Sequence, residues 1–576
     1  MDYRRLADVY AAVESTPKRL EKTAIIANFL KQVPDQELER IVHLLQARAF
    51  PSWEKETLGI ASRVMLKTLA SVLGTTEQKL EHSWKEEGDL ALVAEKFASK
   101  RHQTLLVRQT LSTKKVYDTL RKVAGTEGSG STDVKVKLLS EIFSLADSTE
   151  LRYVVRTVLE DLRIGLADGT LRDAIVWASF PEKCPSAPDQ EPANRDQYRA
   201  IVAVVQDAYD RTTDFAQVAV LARRGEGALR EVKLRIGYPV KLMLASREPS
   251  FAKAFERTGV PAQLQFKYDG FRVQVHKLGE AVTLFTRRLE NVTAAFPDIV
   301  SLVRERIHKD CLLDAEAIGI DPTTGHYVPF QQISQRIRRK HRVQELIAAM
   351  PMQLAVFDVL VWDNKETLQL PQSERFALLE QVLTNTDNMF CIATSVVAST
   401  PQEAQAFFVK SKEAGCEGVM VKSLSAPYRP GARVGDWVKQ KETMENLDLA
   451  IIGAEWGEGK RSGWLTSFDL AVRDDSGEFL GVGRVGTGLK ELESEGFSFS
   501  ELTELLRPHI LLEDGKHVSI SPAIVIEVAY EEIQRSPSYD AGYALRFPRI
   551  IRNRSDERGP DDSTSLIYLE QLFAQQ

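Results

Sequence analysis

Gln265-Phe266-Lys267-Tyr268-Asp269-Gly270-Phe271-Arg272 is the stretch on which the fold of this chain turns. Asp-Gly is a turn signal. After it, Phe271, Val273 and Val275 alternate with polar residues, the period of a half-buried strand. A lysine before an Asp-Gly turn has a plain reading, a solvated surface charge. It has a chemical one too, a nucleophile held at a bend. An ordinary lysine has a pKa of ~10.4, so about one in 2,500 is the neutral, attacking amine at pH 7. A nucleophilic lysine therefore needs surroundings that disfavour its ammonium form. Arg272, Lys422, Lys439 and Lys441 could supply cations if the fold brings their segments together. A Lys-x-Asp-Gly run is expected by chance roughly 0.07 times in a chain of this length, so the run alone is moderate evidence.

Downstream segments strengthen it by their order. They are Asp314-Ala315-Glu316, Phe357-Asp358, Glu417-Gly418-Val419-Met420-Val421-Lys422, Arg433, Trp437-Val438-Lys439-Gln440-Lys441 and Arg546-Phe547-Pro548-Arg549. Glu316 is an acid inside an apolar run and needs a partner, whether a structural cation or a ligand. Phe357 in a buried strand is either a core aromatic or a stacking surface. Arg287 and Arg288, after Phe285-Thr286, are either solvated charges at a strand end or ligand contacts. Lys439 and Lys441 stand two apart on a strand and so share a face. Clustered arginines, as at 546–554, bind phosphate well. The glycines around 453–463 and 481–488 are read as barrel turns, because no phosphate-loop pattern accompanies them.

Further out, the chain changes character twice. Up to about residue 234 it reads as helices: Leu151, Val154, Val155, Val158, Leu159 and Leu162 follow one helical face, and 36–50, 61–73 and 196–210 behave similarly. Loops interrupt at 125–131 and 181–192. From 235 to 443 strands alternate with helices. Strands are expected at 311–320, 353–362, 416–423 and 436–441, and helices at 298–308, 371–383 and 401–414, a mixed α+β region. From 444 to 576, short strands at 448–454, 467–473, 478–485 and 523–530 between Gly-rich turns suggest a small β-barrel, an OB-fold, with a final helix at 563–574.

The 576 residues carry 43 % hydrophobic and 27 % charged side chains, an ordinary globular balance that suits three or four domains. No run of 18 apolar residues is present, so no membrane span is expected. The four cysteines are too scattered for a zinc site or a disulfide framework, which favours the cytoplasm. The net charge of −6 requires any nucleic-acid surface to be a local basic face.

As an ordered set, these motifs resemble those of the covalent nucleotidyltransferases, and the whole chain resembles an ATP-dependent DNA ligase of the archaeal and eukaryotic replicative type. The resemblance implies an all-α DNA-binding domain (1–234), an adenylation domain (235–443) and an OB-fold domain (444–576). It makes Lys267 the residue that takes AMP from ATP. Arg272, Arg287, Phe357, Arg433 and Lys439 become nucleotide contacts, and Glu316 meets the ribose. Glu316 and Glu417 become metal ligands, for Mg²⁺ or Mn²⁺. The last arginine motif orients the departing pyrophosphate. Nicked duplex DNA is the expected substrate and the chain is expected to be a monomer. The segments Leu162-Arg163-Ile164-Gly165 and Arg223-Arg224-Gly225-Glu226-Gly227 resemble phosphate-gripping parts of the DNA-binding domain. Two positions depart from the pattern. Gln265 stands where the archaeal type has a base-reading Glu, and an amide can donate as well as accept. Glu557 stands where a lysine is usual. Gln103 followed by Leu105 and Leu106 resembles a sliding-clamp docking motif without its aromatic pair. The plainer and preferred reading is two leucines packed into their own domain.

Overall fold

The computed structural model describes all residues except 52, 55–57, 101–109, 129, 329–331, 334–335, 337–342, 443, 458–460, 462 and 576. The clamp-like segment at 103–106 therefore lies outside the described residues. The chain forms two compact units, Met1–Gln440 and Lys441–Gln576.

The first unit opens with helices around one continuous apolar core that includes Tyr3, Tyr10, Ile41, Phe143, Val154 and Phe215. Side chains cap many of them. Asp147 and Glu150 form a reciprocal capping box at the start of Ser148–Val158. That helix stops at Val158, four residues before the apolar repeat does. Glu160, Arg163 and Gly165 then take positive φ. The reason is tertiary. Arg156 donates to the Leu162 carbonyl at 3.1 Å and Lys22 donates to the Ile164 carbonyl. These side-chain donors, one from the helix itself and one distant in the chain, satisfy backbone acceptors that a longer helix would have satisfied with its own backbone. Leu162–Gly165 is thus a pinned loop ahead of the helix Asp168–Ser179.

The remainder of this unit is built on strands β1 (Ser246–Arg247), β2 (Ala262–Lys267), β3 (Phe271–Leu278), β4 (Ala281–Thr286), β5 (Cys311–Ile320), β6 (Tyr327–Val328), β7 (Met352–Trp362), β8 (Lys365–Glu366), β9 (Phe390–Ile392), β10 (Ser395–Ala398), β11 (Gly418–Ser423) and β12 (Trp437–Lys441). One sheet has the order β1-β12-β11-β2-β10 and the other β4-β3-β5-β7-β8. The helices Phe251–Thr258 and Pro401–Glu413 cover the outer face of the first, and Pro297–Arg306 and Gln372–Val382 that of the second. Buried clusters such as Leu312, Leu360, Tyr428 and Trp437 draw side chains from both sheets and fill the space between them. The chain crosses from one sheet to the other at Tyr268-Asp269-Gly270. A Cβ at Gly270 would collide with the carbonyl oxygen of Ala317, so the close approach of β5 dictates glycine there. The hairpin strand β4 was not among the expected strands.

In the second unit β13 (Leu447–Trp456), β14 (Leu465–Arg473), β15 (Phe479–Val485), β16 (Ile510–Asp514), β17 (His517–Ile520), β18 (Val525–Ala529) and β21 (Arg549–Asn553) form one sheet, beside the hairpin of β19 (Glu532–Arg535) and β20 (Tyr543–Arg546). The sheet closes where Ile550 N–H donates to the Thr487 carbonyl, 2.9 Å away, just beyond β15. Gly488, at φ +109, leaves room for that contact, since a Cβ there would strike Ile550. This barrel fits an OB-fold. Gly453, Gly481 and Gly483 lie inside β13 and β15, not in the turns expected of them. The final helix spans Leu566–Gln575.

Candidate active site

Alternation along β2 places Gln263, Gln265 and Lys267 on one face. Antiparallel pairing sets them opposite Lys422, Met420 and Gly418 of β11. The Lys267 carbonyl accepts the Glu417 N–H at 2.8 Å, and the Lys267 ammonium forms an ion pair with the Glu417 carboxylate. The expectation that cations would crowd Lys267 is therefore corrected. Its ammonium meets an anion, while Lys441, the first residue of the second unit, pairs within that unit with Glu531 at 3.2 Å. The depressed lysine of this face is Lys422, whose pKa burial pushes down to about 7.

Across the gap, β3 and β5 pair Arg272 with Glu316 in register. The Arg272 guanidinium grips Asp314 with two hydrogen bonds, 2.9 Å and 2.6 Å, and donates to the Met243 carbonyl at 2.7 Å. Tyr428 donates to the same Asp314 at 2.8 Å. The Glu316 carboxyl is pushed up to about 8 by burial, which outweighs the attraction of Lys267 and Arg272; the neighbouring carboxylates Glu417 and Asp314 push the same way. Two acidic groups thus face one lysine at the corner between the sheets.

Arg287 is depressed by partial burial and by the positive charges of Arg272, Arg433 and Arg288. The structure thereby gathers three of the sequence candidates, Arg272, Arg287 and Arg433, into one positive field. Phe357 is half-buried on β7, edge-on to Trp437, with ring centroids 6.3 Å apart. Lys439 is half-buried on β12, opposite Arg247. Gln265 is buried, and its Nε2 has no hydrogen-bond partner. Burying an amide donor without a partner costs about 1–3 kcal/mol, so the atom awaits an acceptor.

The second unit carries the last arginine motif on the β20–β21 turn. Arg546 binds Glu532 at 2.7 Å, and Phe547 stands exposed at φ 51. Glu557, the departure from the usual lysine, pairs with Arg552 and with Arg554, each at 3.0 Å.

Sequence reasoning gave no role to Asp314, Asp358, Arg375, Tyr428 or Trp437. Asp358 and Arg375 are wholly buried and joined by bonds of 2.7 Å and 3.0 Å. The available signal was the acid at 314, which shares the Glu316 face of β5.

Three family models match the chain. Residues 2–176 match the family described as DNA ligase N terminus, 242–441 the ATP dependent DNA ligase domain, and 461–557 the ATP dependent DNA ligase C terminal region. A DNA ligase of Nanoarchaeum equitans is 42 % identical over 581 residues, covering 100 % of this chain and 99 % of its own. The chain belongs to the ATP-dependent DNA ligase family. A ligase of Thermococcus fumicolans is 38 % identical over 579 residues, again covering 100 % of this chain and 99 % of the relative. Among solved structures, one titled Pmar-Lig_PreS3 covers 95 % of this ligase and 99 % of itself at a TM-score of 0.58 and 16 % identity, a likeness of fold. ATP as a substrate and DNA as the other follow from the family. Among the described residues of this ligase, no helix is long and apolar enough to cross a membrane.

Proposed function

We propose that this ligase seals nicks in duplex DNA through a lysyl–AMP at Lys267. The observation that carries the reading is the position of Lys267. It sits at the corner between two sheets, ion-paired to Glu417, with Glu316 and Arg272 facing it. The Lys267 amine, free of its proton and of Glu417, attacks the α-phosphate of ATP. The N–P bond forms, the bond to the bridging oxygen breaks, and pyrophosphate leaves. AMP then passes to the DNA 5′-phosphate, and the 3′-hydroxyl displaces it. Arg272, Arg287, Arg433 and Lys439 hold the phosphates by charge, Glu316 meets the ribose hydroxyls, Phe357 stacks on the base, and Gln265 reads it. Arg549 steadies the departing pyrophosphate.

Glu316 and Glu417 would hold a divalent cation. They are two carboxylates close enough that one raises the pKa of the other, and a hard ion needs one or two carboxylates plus phosphate oxygens and water. Such an ion, Mg²⁺ or Mn²⁺, would be held partly by the substrate. When bound, the ion supplies charge for the phosphates. We also assign domains 1–234, 235–443 and 444–576, a monomer and a cytoplasmic location.

Incubation with α-labelled ATP and Mg²⁺ tests the reading. Wild type becomes labelled before DNA is added. Lys267→Ala abolishes labelling yet still binds nicked duplex, because DNA affinity comes from phosphate contacts spread over the chain. A labelled Lys267→Ala protein would refute the assignment. The Gln265 amide leads to a second outcome, measured as lysyl-nucleotide formation with ATP, ADP and GTP. Wild type accepts GTP to a degree that Gln265→Glu does not. Equal base selectivity in the two proteins removes the base-reading role.

A further inference from the structure

Lys422 is the group in the site that the reaction leaves unused. It is 1 % exposed, and its Nζ has no hydrogen-bond partner. A buried lysine is ordinarily kept by an ion pair. Here the two nearby acids are already committed, Asp314 to Arg272 and Tyr428, and Asp358 to Arg375. What Nζ meets instead is two rings. It lies 4.0 Å from the centroid of Trp437 and 4.8 Å from that of Phe357. The Arg272 guanidinium approaches the same rings, 5.4 Å from Phe357 and 5.6 Å from Trp437.

The two rings differ. Trp437 is buried and serves as a floor, whereas Phe357 is half-buried and open to the site. A cation against a ring is attracted by the quadrupole of its face and so favours particular ring orientations. Arg272 is immobilised by its bonds to Asp314 and Met243, whereas the Lys422 nitrogen has the two rings in place of a hydrogen-bond partner.

We infer that Lys422 is a positioning residue for nucleotide binding, whose side-chain nitrogen, held against Trp437 and Phe357, fixes the Phe357 ring as the stacking surface for the base. This rests on the reading of Phe357 as that surface. The charge of Lys422 is finely set. Burial lowers its pKa to about 7, Asp358 and Asp314 oppose the shift, and Arg375 and Arg272 add to it.

Single-turnover formation of lysyl–AMP by the full chain, with ATP varied, tests the inference in wild type, Lys422→Met, Lys422→Arg and Phe357→Leu. Lys422→Met raises the half-saturating ATP concentration about tenfold, the size of a desolvated cation–π contact, and leaves the maximal rate within about twofold. Lys422→Arg restores saturation at low ATP. In wild type the half-saturating concentration rises as the pH passes upward through about 7 and the cation is lost; in Lys422→Arg it stays flat. An unchanged half-saturation in Lys422→Met, with Phe357→Leu impaired, overturns the role of Lys422 alone. An unimpaired Phe357→Leu overturns the stacking reading beneath it. Equal failure of the Met and Arg variants, with lowered melting temperatures, reduces Lys422 to packing and overturns the inference as well.

Discussion

Arginines in the two-sheet region and arginines on the barrel are paired with acids in opposite ways. Arg375 and Asp358 are 0 % exposed, and Arg375 also donates to the carbonyls of Leu370 and Ala426 and to Gln372. On the barrel, Arg552 is 49 % exposed and shares Glu527 with Arg554. Phe547 beside them is 67 % exposed. A buried, fully hydrogen-bonded pair is costly to assemble and costly to break, and it holds its neighbours in one geometry. An exposed pair is screened and contributes little. The central region is thus organised before any ligand arrives, whereas the barrel motif keeps its cations at the surface, where a phosphate can compete for them.

The hardest blow to this contrast is Arg375→Met. It leaves Asp358 buried and uncompensated, and about 3–5 kcal/mol of stability is lost on urea unfolding. A loss below about 1 kcal/mol would erase the difference between the two regions.

Asp210 sharpens the contrast within the first unit, because it is a buried acid without a guanidinium. It accepts a hydrogen bond from Gln206 at 2.9 Å, and burial pushes its carboxyl up to about 7. A raised carboxyl confers stability below the ordinary aspartate range, and that stability is lost as the pH climbs through about 7. Asp210→Asn is therefore neutral near pH 4 and stabilising at pH 8 by on the order of 3 kcal/mol. Melting temperatures measured across that range check the sign; a constant difference between the proteins would show that Asp210 stays ionised.

The smallest change in stability belongs to the barrel. Arg552→Ala costs less than about 1 kcal/mol and leaves the melting curve nearly in place. Arg549→Ala leaves stability alone as well, but slows self-adenylylation more than sealing of pre-adenylylated DNA, from which pyrophosphate is absent. Equal loss in both assays would make Arg549 a DNA contact.

Some of this was legible from residues alone. The strand at 311–320 was legible because a mostly apolar run of that length, broken only by Asp314 and Glu316, has few other readings, and the Lys267 bend because Asp-Gly follows it. The helix end at Val158 was not, since the apolar repeat runs on to Leu162, and the carbonyls beyond the end are taken up by Arg156 of the helix's own last turn and by Lys22 arriving from elsewhere. Strands β2, β4, β9 and β10 and those from β16 onward, β18 apart, were missed because short runs carry little periodicity. Their pairing comes from partners distant in the chain.

The sequence by itself determined the chemistry. It set a lysine at a turn, acids and arginines in a fixed order, and an amide where a carboxylate is usual. Those are properties of side chains and need no neighbours to be stated. The tertiary structure alone decided which charges meet. It gave Lys267 an anion where cations were expected, committed Asp314 to Arg272 and Asp358 to Arg375, and left Lys422 and Gln265 buried with nitrogen atoms unpartnered. The physical reason is that pKa, burial and hydrogen-bond satisfaction depend on distances of a few ångströms between segments separated in the chain, which only the packing of two sheets fixes.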